Sequence, residues 1–593
     1  MDNLNELYDL QVRAEAVVQS NNQVSGNSRI IRSNIVKAQT NQISGVSTLT
    51  LDVYNGLARR VDSAEVGQQH IRPNAIGAHY DLTVYNDGST DYYPYMFGKT
   101  LDHSVSGGFI TKADGDLLIE AIKMNTQEKL QAIPMHSAST RKLEGVPVCN
   151  SKNNQGKQQY FYPFTAYGID SNEHMFEMME VYAMQIVRDI PFIDWDTDGT
   201  VGSVLTPLNA YGSSITGPTV TGSITRQTLL RGFAAEETVG PYVSQFLLHS
   251  YTYGNLGVTQ KYMMENDSHS MLSVTGWMGV QQGVTGANIG DVGPTEKFVY
   301  SPRMLGSIVH RDPLYQFYYN AALISNASMN AVGYDNSSIN SSEWMDGGPP
   351  AVLAHLSEVC GGALRVAWYN KYGQTLRLRP EVLAQRITVA HNNSVLRSAV
   401  PKLNTIKTNS DTGAALLTLV NADNISNSGE ALGGKNYYLD VIYQEGSPTH
   451  PSLPAGHATV AGAAVTVLKA MLVTHETNGS RKPWVAAGRT ALIADATGDN
   501  LISYSGGDAS SMTIVGELNK LASNVSLGRD FAGVHFREDG TNGMLVGEEY
   551  AISFLQSKIA EYGAQANGMF GGFDLEKFDG TRVLITKDAV TNI

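Results

Sequence analysis

Cysteine is nearly missing from this chain: Cys149 and Cys360 are the only two in 593 residues. Two thiols can build neither a disulfide framework nor a four-cysteine zinc site, so two buried free thiols are expected, with a single bridge as the alternative. Charge is also scarce. Asp, Glu, Lys and Arg make up 17% of residues, against roughly 25% in typical soluble domains. Part of the surface is therefore expected to meet other subunits rather than water. No stretch approaches the ~18 uninterrupted apolar residues of a membrane span. The opening MDNLNELYDLQVRAEAVVQS has no basic region followed by an apolar run, so a soluble chain without a signal peptide is expected, its compartment left open. Basic excess is lacking too. With 42 Lys and Arg against 56 Asp and Glu the net charge is −14, which argues against general binding of nucleic acid or anionic membranes. Any local cluster of positive charge is informative against that background.

What is present is a globular composition, 42% apolar, with helical rather than alternating periodicity. In SNEHMFEMMEVYAMQIVRDI, Met175, Met179, Tyr182 and Ile186 share one helical face, with Ser171 or Asn172 as cap. Such a methionine stripe reads as core. DGDLLIEAIKMNTQEKLQAI reads as one helix ended by Pro134, and residues 195–305 as mostly loop. PLYQFYYNAALIS suggests a helix with Pro313 in its first turn. In AVLAHLSEVCGGALRVAWYNKY, Val352, Leu356, Val359, Ala363 and Val366 mark a face, and Gly361-Gly362 would admit a close neighbour. Helices also follow from HATVAGAAVTVLKAML and from GEEYAISFLQSKIAEYG, where Ile552, Leu555, Ile559 and Tyr562 recur. The expected fold is all-α, helical bundles (two four-helix bundles) with long loops and few short strands. It divides into a loop-rich N-terminal region, 1–312, and a C-terminal bundle, 313–593.

Three segments carry chemistry. In SPTHPSLPAGHATVAGAA, Pro451 and Pro454 delay a helix until Gly456 and His457. Its first amides then lack internal partners and face the space ahead, a ready anion site. His457 there can give or take a proton at a bound oxyanion. Upstream, WYNKYGQTLRLRPEVL holds Lys371, Arg377 and Arg379; downstream, SLGRDFAGVHFREDG holds Arg529, His535 and Asp539. Alone, each is ordinary: a solvated helix end, a surface Arg529-Asp530 pair, a structural histidine. Together they read K-x7-R-P, then P-x-G-H, then R-x5-H-x3-D, in that order.

That set resembles the signature shared by vanadium-dependent haloperoxidases and type 2 phosphatidic acid phosphatases, most strongly over residues 340–565 and with the wording of the algal-type bromoperoxidases. The resemblance implies a vanadate cofactor in a helical bundle. His535 would bind the vanadium, while Lys371, Arg379 and Arg529 neutralise the oxygens, joined by the Gly456 amide. His457 would be acid and base when peroxide binds, and Lys371 would polarise it. Asp539 could fix the His535 tautomer from behind. The residues suit the task, because the planar fork of Arg meets two oxygens at once. One departure is Ala455, where the family has Ser; the missing donor should cost roughly 0.5–1.5 kcal/mol of oxyanion binding.

Phosphate would fit the same cradle and could occupy it without vanadate, so an acid phosphatase is the alternative. The long separations between motifs favour the haloperoxidase. So does His450, where the chloroperoxidases carry Phe, and Trp368, three before Lys371. The pair would form a halide pocket, favouring bromide and iodide over chloride. The expected partners are hydrogen peroxide, halide, a small organic acceptor and further copies of the chain, dimer-based up to a dodecamer. DWDTDGT at 194–200 imitates a calcium loop, but Leu205 stands where the bidentate Glu should be, so a polar turn is expected. Sequons such as Asn326-Ala327-Ser328 carry no weight without a secretory signal.

Overall fold

The computed structural model describes residues 82–124, 126–146, 166–169, 171–212, 223–266, 269–284, 292–326, 348–399, 413–429, 435–485, 489–561 and 571–593. Cys149, Tyr562 and the last two sequon residues lie outside them; Cys360 is a buried free thiol. The principal helices are α1 (Lys112–Met124), α2 (Asn172–Val187), α3 (Gly199–Gly212), α4 (Pro302–Ile308), α5 (Gln316–Asn326), α6 (Pro349–Asn370), α7 (Pro380–Asn392), α8 (Gly413–Ser428), α9 (Gly456–Met471), α10 (Ile514–Phe531) and α11 (Arg537–Glu561). Among the described residues the strands form small two- and three-stranded antiparallel sheets, such as Phe573–Glu576, Arg582–Ile585 and Val590–Asn592, with Phe573 opposite Ile585. The fold is mostly helical, as expected. No described helix is long and apolar enough to cross a membrane.

At the centre lies α9. Apart from His457 every residue from Gly456 to Met471 is buried, and so is every residue of α10. A helix walled in on all sides needs no polar face, and side chains such as Val460, Val467 and Leu468 each contribute about 1.5–3 kcal/mol by leaving water. Close approach to α11 depends on glycine. A Cβ added to Gly462 would land on the Met544 carbonyl, and one added to Gly547 on the Thr459 carbonyl. The two backbones touch, which brings the starts of both helices to one place.

One hydrophobic core runs through both halves of the chain, joining α2 residues such as Met178 and Tyr182 to α6, α9, α10 and α11. Ser171 caps α2 as expected, accepting from the His174 amide. A second cluster, with Phe97, Leu101, Leu118 and Ile122, packs on Tyr369, Tyr372 and Trp368 at the end of α6. Gly362 receives the Tyr550 ring, so the glycine pair does admit a close neighbour.

Several local expectations are corrected. The helix read through to Pro134 breaks after Met124, because Thr126 caps a separate short helix, Gln127–Gln131. Pro313 stands in a turn before α5, its carbonyl accepting from the Gln316 amide. The last helix begins ten residues early, at Arg537. Within 195–305, α3 and the helix Val274–Gln281 replace part of the expected loop. The Asp194–Gly199 stretch is a turn in which Asp198 accepts from the Thr200 and Val201 amides at the start of α3.

Candidate oxyanion site

Five chain segments converge. α6 ends at Asn370 and widens into a turn over Lys371–Thr375, closed by Leu376 in the left-handed region at φ 39. A bulky residue there stores on the order of 1 kcal/mol, a cost associated with functional sites. The turn places Lys371 inside the protein, where its ammonium donates to the Pro451 and Ser452 carbonyls, both at 2.8 Å. Arg379 is the N-cap residue of α7, with Pro380 in the first turn. Its guanidinium donates to the carbonyls of His450 (3.0 Å) and Val534 (2.8 Å), and to ring nitrogens of His535 and His450 (both 2.9 Å). Arg529, in the last turn of α10, donates to the Val309 carbonyl (2.6 Å) and the Tyr443 hydroxyl (3.1 Å). Its Nε is buried without a partner.

These cations are at most 3% exposed, and no described carboxylate lies within ion-pair distance of any of them. The surface readings of Lys371, Arg379 and Arg529 are thereby excluded. Burial first, then mutual repulsion, drives Lys371 well below its ordinary pKa; burial lowers Arg379 to about 10, Arg529 adding to the effect against Asp539. Uncompensated buried charge costs on the order of 3–5 kcal/mol. A bound anion offsets it.

His535 stands two residues before α11. Its Nδ1 stands 2.9 Å from Asp539 Oδ2 and its Nε2 2.9 Å from an Arg379 donor. Arg only donates, so Nδ1 carries the proton and Nε2 offers its lone pair, the state a metal ligand requires. Burial, then Arg379 and Lys371, keep the ring neutral by lowering its pKa well below normal. Asp539 also accepts from the Phe536 amide (3.0 Å) and from the Ser452 hydroxyl.

His457 opens α9, with Ala455 as an N-cap that offers no side-chain bond. The Ala455 amide donates to the Asp539 carbonyl at 2.8 Å, tying the two helix starts together. His457 Nε2 lies 3.0 Å from Asp312. Burial lowers the His457 pKa, opposed by Asp312 and reinforced by Arg529. A cavity of about 330 Å³ opens over this floor; Gly456, His457, Arg529 and His535 face it, with Trp368, His450, Tyr443, His310, Glu144, Glu445 and Arg141 around the walls. Lys371, Arg379 and Ala455 stand one layer behind. The Trp368 and His450 rings pack with centroids 4.4 Å apart. His450 Nδ1 lies 2.9 Å from an Arg379 nitrogen and 3.1 Å from the Pro451 carbonyl, and its Nε2 lies 3.9 Å from Glu144.

The structure thus brings Trp368, Lys371, Arg379, His450, Ala455, Gly456, His457, Arg529, His535 and Asp539 to one place, while Arg377 pairs instead with Glu538 at 2.6 Å. It adds Asp312, His310, Tyr443, Glu445, Glu144 and Arg141, which sequence reading missed. Only HRDP at 310–313, titratable groups beside a proline, was a usable signal.

Buried cations with no described carboxylate within ion-pair distance, a histidine lone pair and a helix start thus meet in a mostly helical protein. No family model matches the chain. Two curated relatives are the vanadium-dependent bromoperoxidases of Ascophyllum nodosum, 28% identical over 86% of this chain and 89% of that protein, and of Corallina pilulifera, 28% identical over 70% and 75%. The fold matches the homohexameric second vanadate-dependent bromoperoxidase of Ascophyllum nodosum with a TM-score of 0.72, at 23% identity over 93% of this chain and 96% of that one. Over most of its length the chain is similar in sequence to vanadium-dependent bromoperoxidases, and it shares the fold of one.

Proposed function

We propose that this chain is a vanadate-dependent haloperoxidase that uses hydrogen peroxide to oxidise bromide, and iodide, to hypohalous acid, which halogenates small organic acceptors. The observation that carries the reading is the set of three buried cations near an unprotonated His535 Nε2, with no described carboxylate within ion-pair distance of them. A tetrahedral oxyanion of vanadium fits that donor set. His535 would hold the metal; Lys371, Arg379, Arg529 and the Gly456 amide would hold its oxygens. When bound, vanadate supplies Lewis-acid activation of the peroxide.

The residues do the rest. His457 is neutral near pH 7 because burial lowers its pKa, so it can take a proton from entering peroxide and return it to the departing oxygen. Asp312 holds the ring and stabilises its charged form while the proton is there. The buried Lys371 regains full charge when an anion is near and draws electron density from the reacting oxygens. His450, at the cavity wall beside Trp368, supplies the donor for a halide when its Nε2 is protonated, and a halide accepts hydrogen bonds without needing a fixed geometry. Ala455 leaves one family donor out, so vanadate is held less tightly. The sparse charge and the homohexameric neighbour support a homo-oligomer.

Phosphate should compete for the pocket, and a phosphatase would use the same cations. The two chemistries are separated by giving metal-stripped protein bromide, peroxide and a phenol dye, with and without orthovanadate, beside a p-nitrophenyl phosphate assay. Dye bromination that depends on vanadate supports the haloperoxidase. Ester hydrolysis inhibited by vanadate, with no bromination, overturns it.

A further inference from the structure

The turn that follows α4 touches the site through three of its residues. Val309 gives its carbonyl to Arg529 at 2.6 Å, and Asp312 lies 3.0 Å from His457. Between them His310 does something different. Its Nδ1 is 2.8 Å from Glu265 and its Nε2 2.6 Å from Glu445. A carboxylate on each ring nitrogen requires a proton on each, so the ring is an imidazolium. Glu265 also accepts from Arg311 at 2.6 Å, anchoring the same turn a second time. The His310 ring lies flat on Tyr443, centroids 3.8 Å apart and 12° between planes. Tyr443 in turn accepts from Arg529 at 3.1 Å, and the Arg529 guanidinium stands 5.1 Å from its ring centre.

We propose that His310, clamped between Glu265 and Glu445, is a positioning residue that fixes the 309–312 turn, and through it both the acid–base His457 and the oxyanion-binding Arg529. The inference rests on the haloperoxidase reading for its assay. The clamp joins segments far apart in sequence, since Glu265 lies in the strand Tyr262–Glu265 and Glu445 in the loop before α9. Without it the turn keeps its place in the chain but loses the tie that sets Asp312 against His457. Direct contact with substrate is not required: His310 acts through Asp312 on one side and through Val309 and Tyr443 on the other.

The test compares the full-length wild type with His310→Gln, Asp312→Asn and the double variant, each loaded with orthovanadate. Bromide oxidation and orthovanadate affinity by equilibrium dialysis are measured. His310→Gln should lower kcat about tenfold and weaken orthovanadate binding about fivefold, while the double variant is within about twofold in kcat of the slower single one, because both act on one group. Multiplying effects in the double variant, or unchanged kcat and affinity in His310→Gln, would overturn the proposal. Should His310→Gln fail to fold, Glu445→Gln removes one charge of the clamp and should show the same two losses to a smaller extent; wild-type values there would likewise refute it. A wild type that binds orthovanadate but oxidises no bromide refutes the haloperoxidase reading, and the affinity comparison then decides the positioning claim.

Discussion

Removing the Asp539 carboxylate tests how the metal ligand is prepared. Asp539 Oδ2 collects three donors: the His535 ring at 2.9 Å, the Phe536 amide at 3.0 Å and the Ser452 hydroxyl. Asp539→Ala leaves all three without their acceptor and frees the neutral imidazole to move its proton to Nε2, where the lone pair is needed. Outer-sphere partners of this kind are worth about 10–100-fold in metal affinity, or about 1.4–2.8 kcal/mol at roughly 1.4 kcal/mol per tenfold. Lost negative charge works the other way, because a pocket with more uncompensated positive charge favours an anion. Asp539→Asn separates the effects. Its amide oxygen can take the place of Oδ2, and its NH2 then fills the Oδ1 position, which has no partner now. Orthovanadate binding measured by equilibrium dialysis should therefore fall about 10–100-fold in Asp539→Ala and stay within about threefold of wild type in Asp539→Asn. A gain of affinity in both variants would mean that charge, not the tautomer, governs the site; equal losses in both, or no loss in Asp539→Ala, would refute the reasoning.

Three further outcomes are expected. His535→Ala should abolish orthovanadate binding, while His457→Ala keeps measurable binding and loses most of its turnover; full bromination by the His535 variant would contradict its assignment as metal ligand. Ala455→Ser restores a hydroxyl at the start of α9 and should tighten orthovanadate binding by about 0.5–1.5 kcal/mol, read as slower loss of activity on dialysis; unchanged retention would show that the hydroxyl does not reach the anion. The acid limb of kcat/KM for peroxide reports protonation of His457, whose pKa burial lowers and Asp312 raises. Asp312→Asn removes the raising charge, so the neutral base survives to lower pH and the limb should move toward acid. A move toward alkali would exclude His457 as the base.

The site was more legible than its setting. Lys371, Arg379, Gly456, His457, Arg529 and His535 stand on short motifs whose spacing is set by local geometry: a helix end, a proline-delimited helix start, a turn between helices. Helical faces were read correctly where one side meets solvent, as in α6. They understated α9 and α10, whose buried residues go all the way round, because periodicity reports contrast between faces and a surrounded helix has none. The break after Met124 rests on Thr126 capping a second helix, a local bond that competes with continued helical pattern. Asp312, His310 and Glu445 were missed for another reason: their importance lies in partners 145, 45 and 135 residues away.

The account turns on one claim, that three buried cations with no described carboxylate in ion-pair range are there to hold a tetrahedral oxyanion. Titrating metal-stripped protein with orthovanadate, then competing with phosphate, tests it most directly. One orthovanadate per chain, displaced by phosphate and lost when Arg529 is replaced by Met, is the expected result. Weak, nonstoichiometric binding that phosphate and Arg529→Met leave unchanged would contradict it.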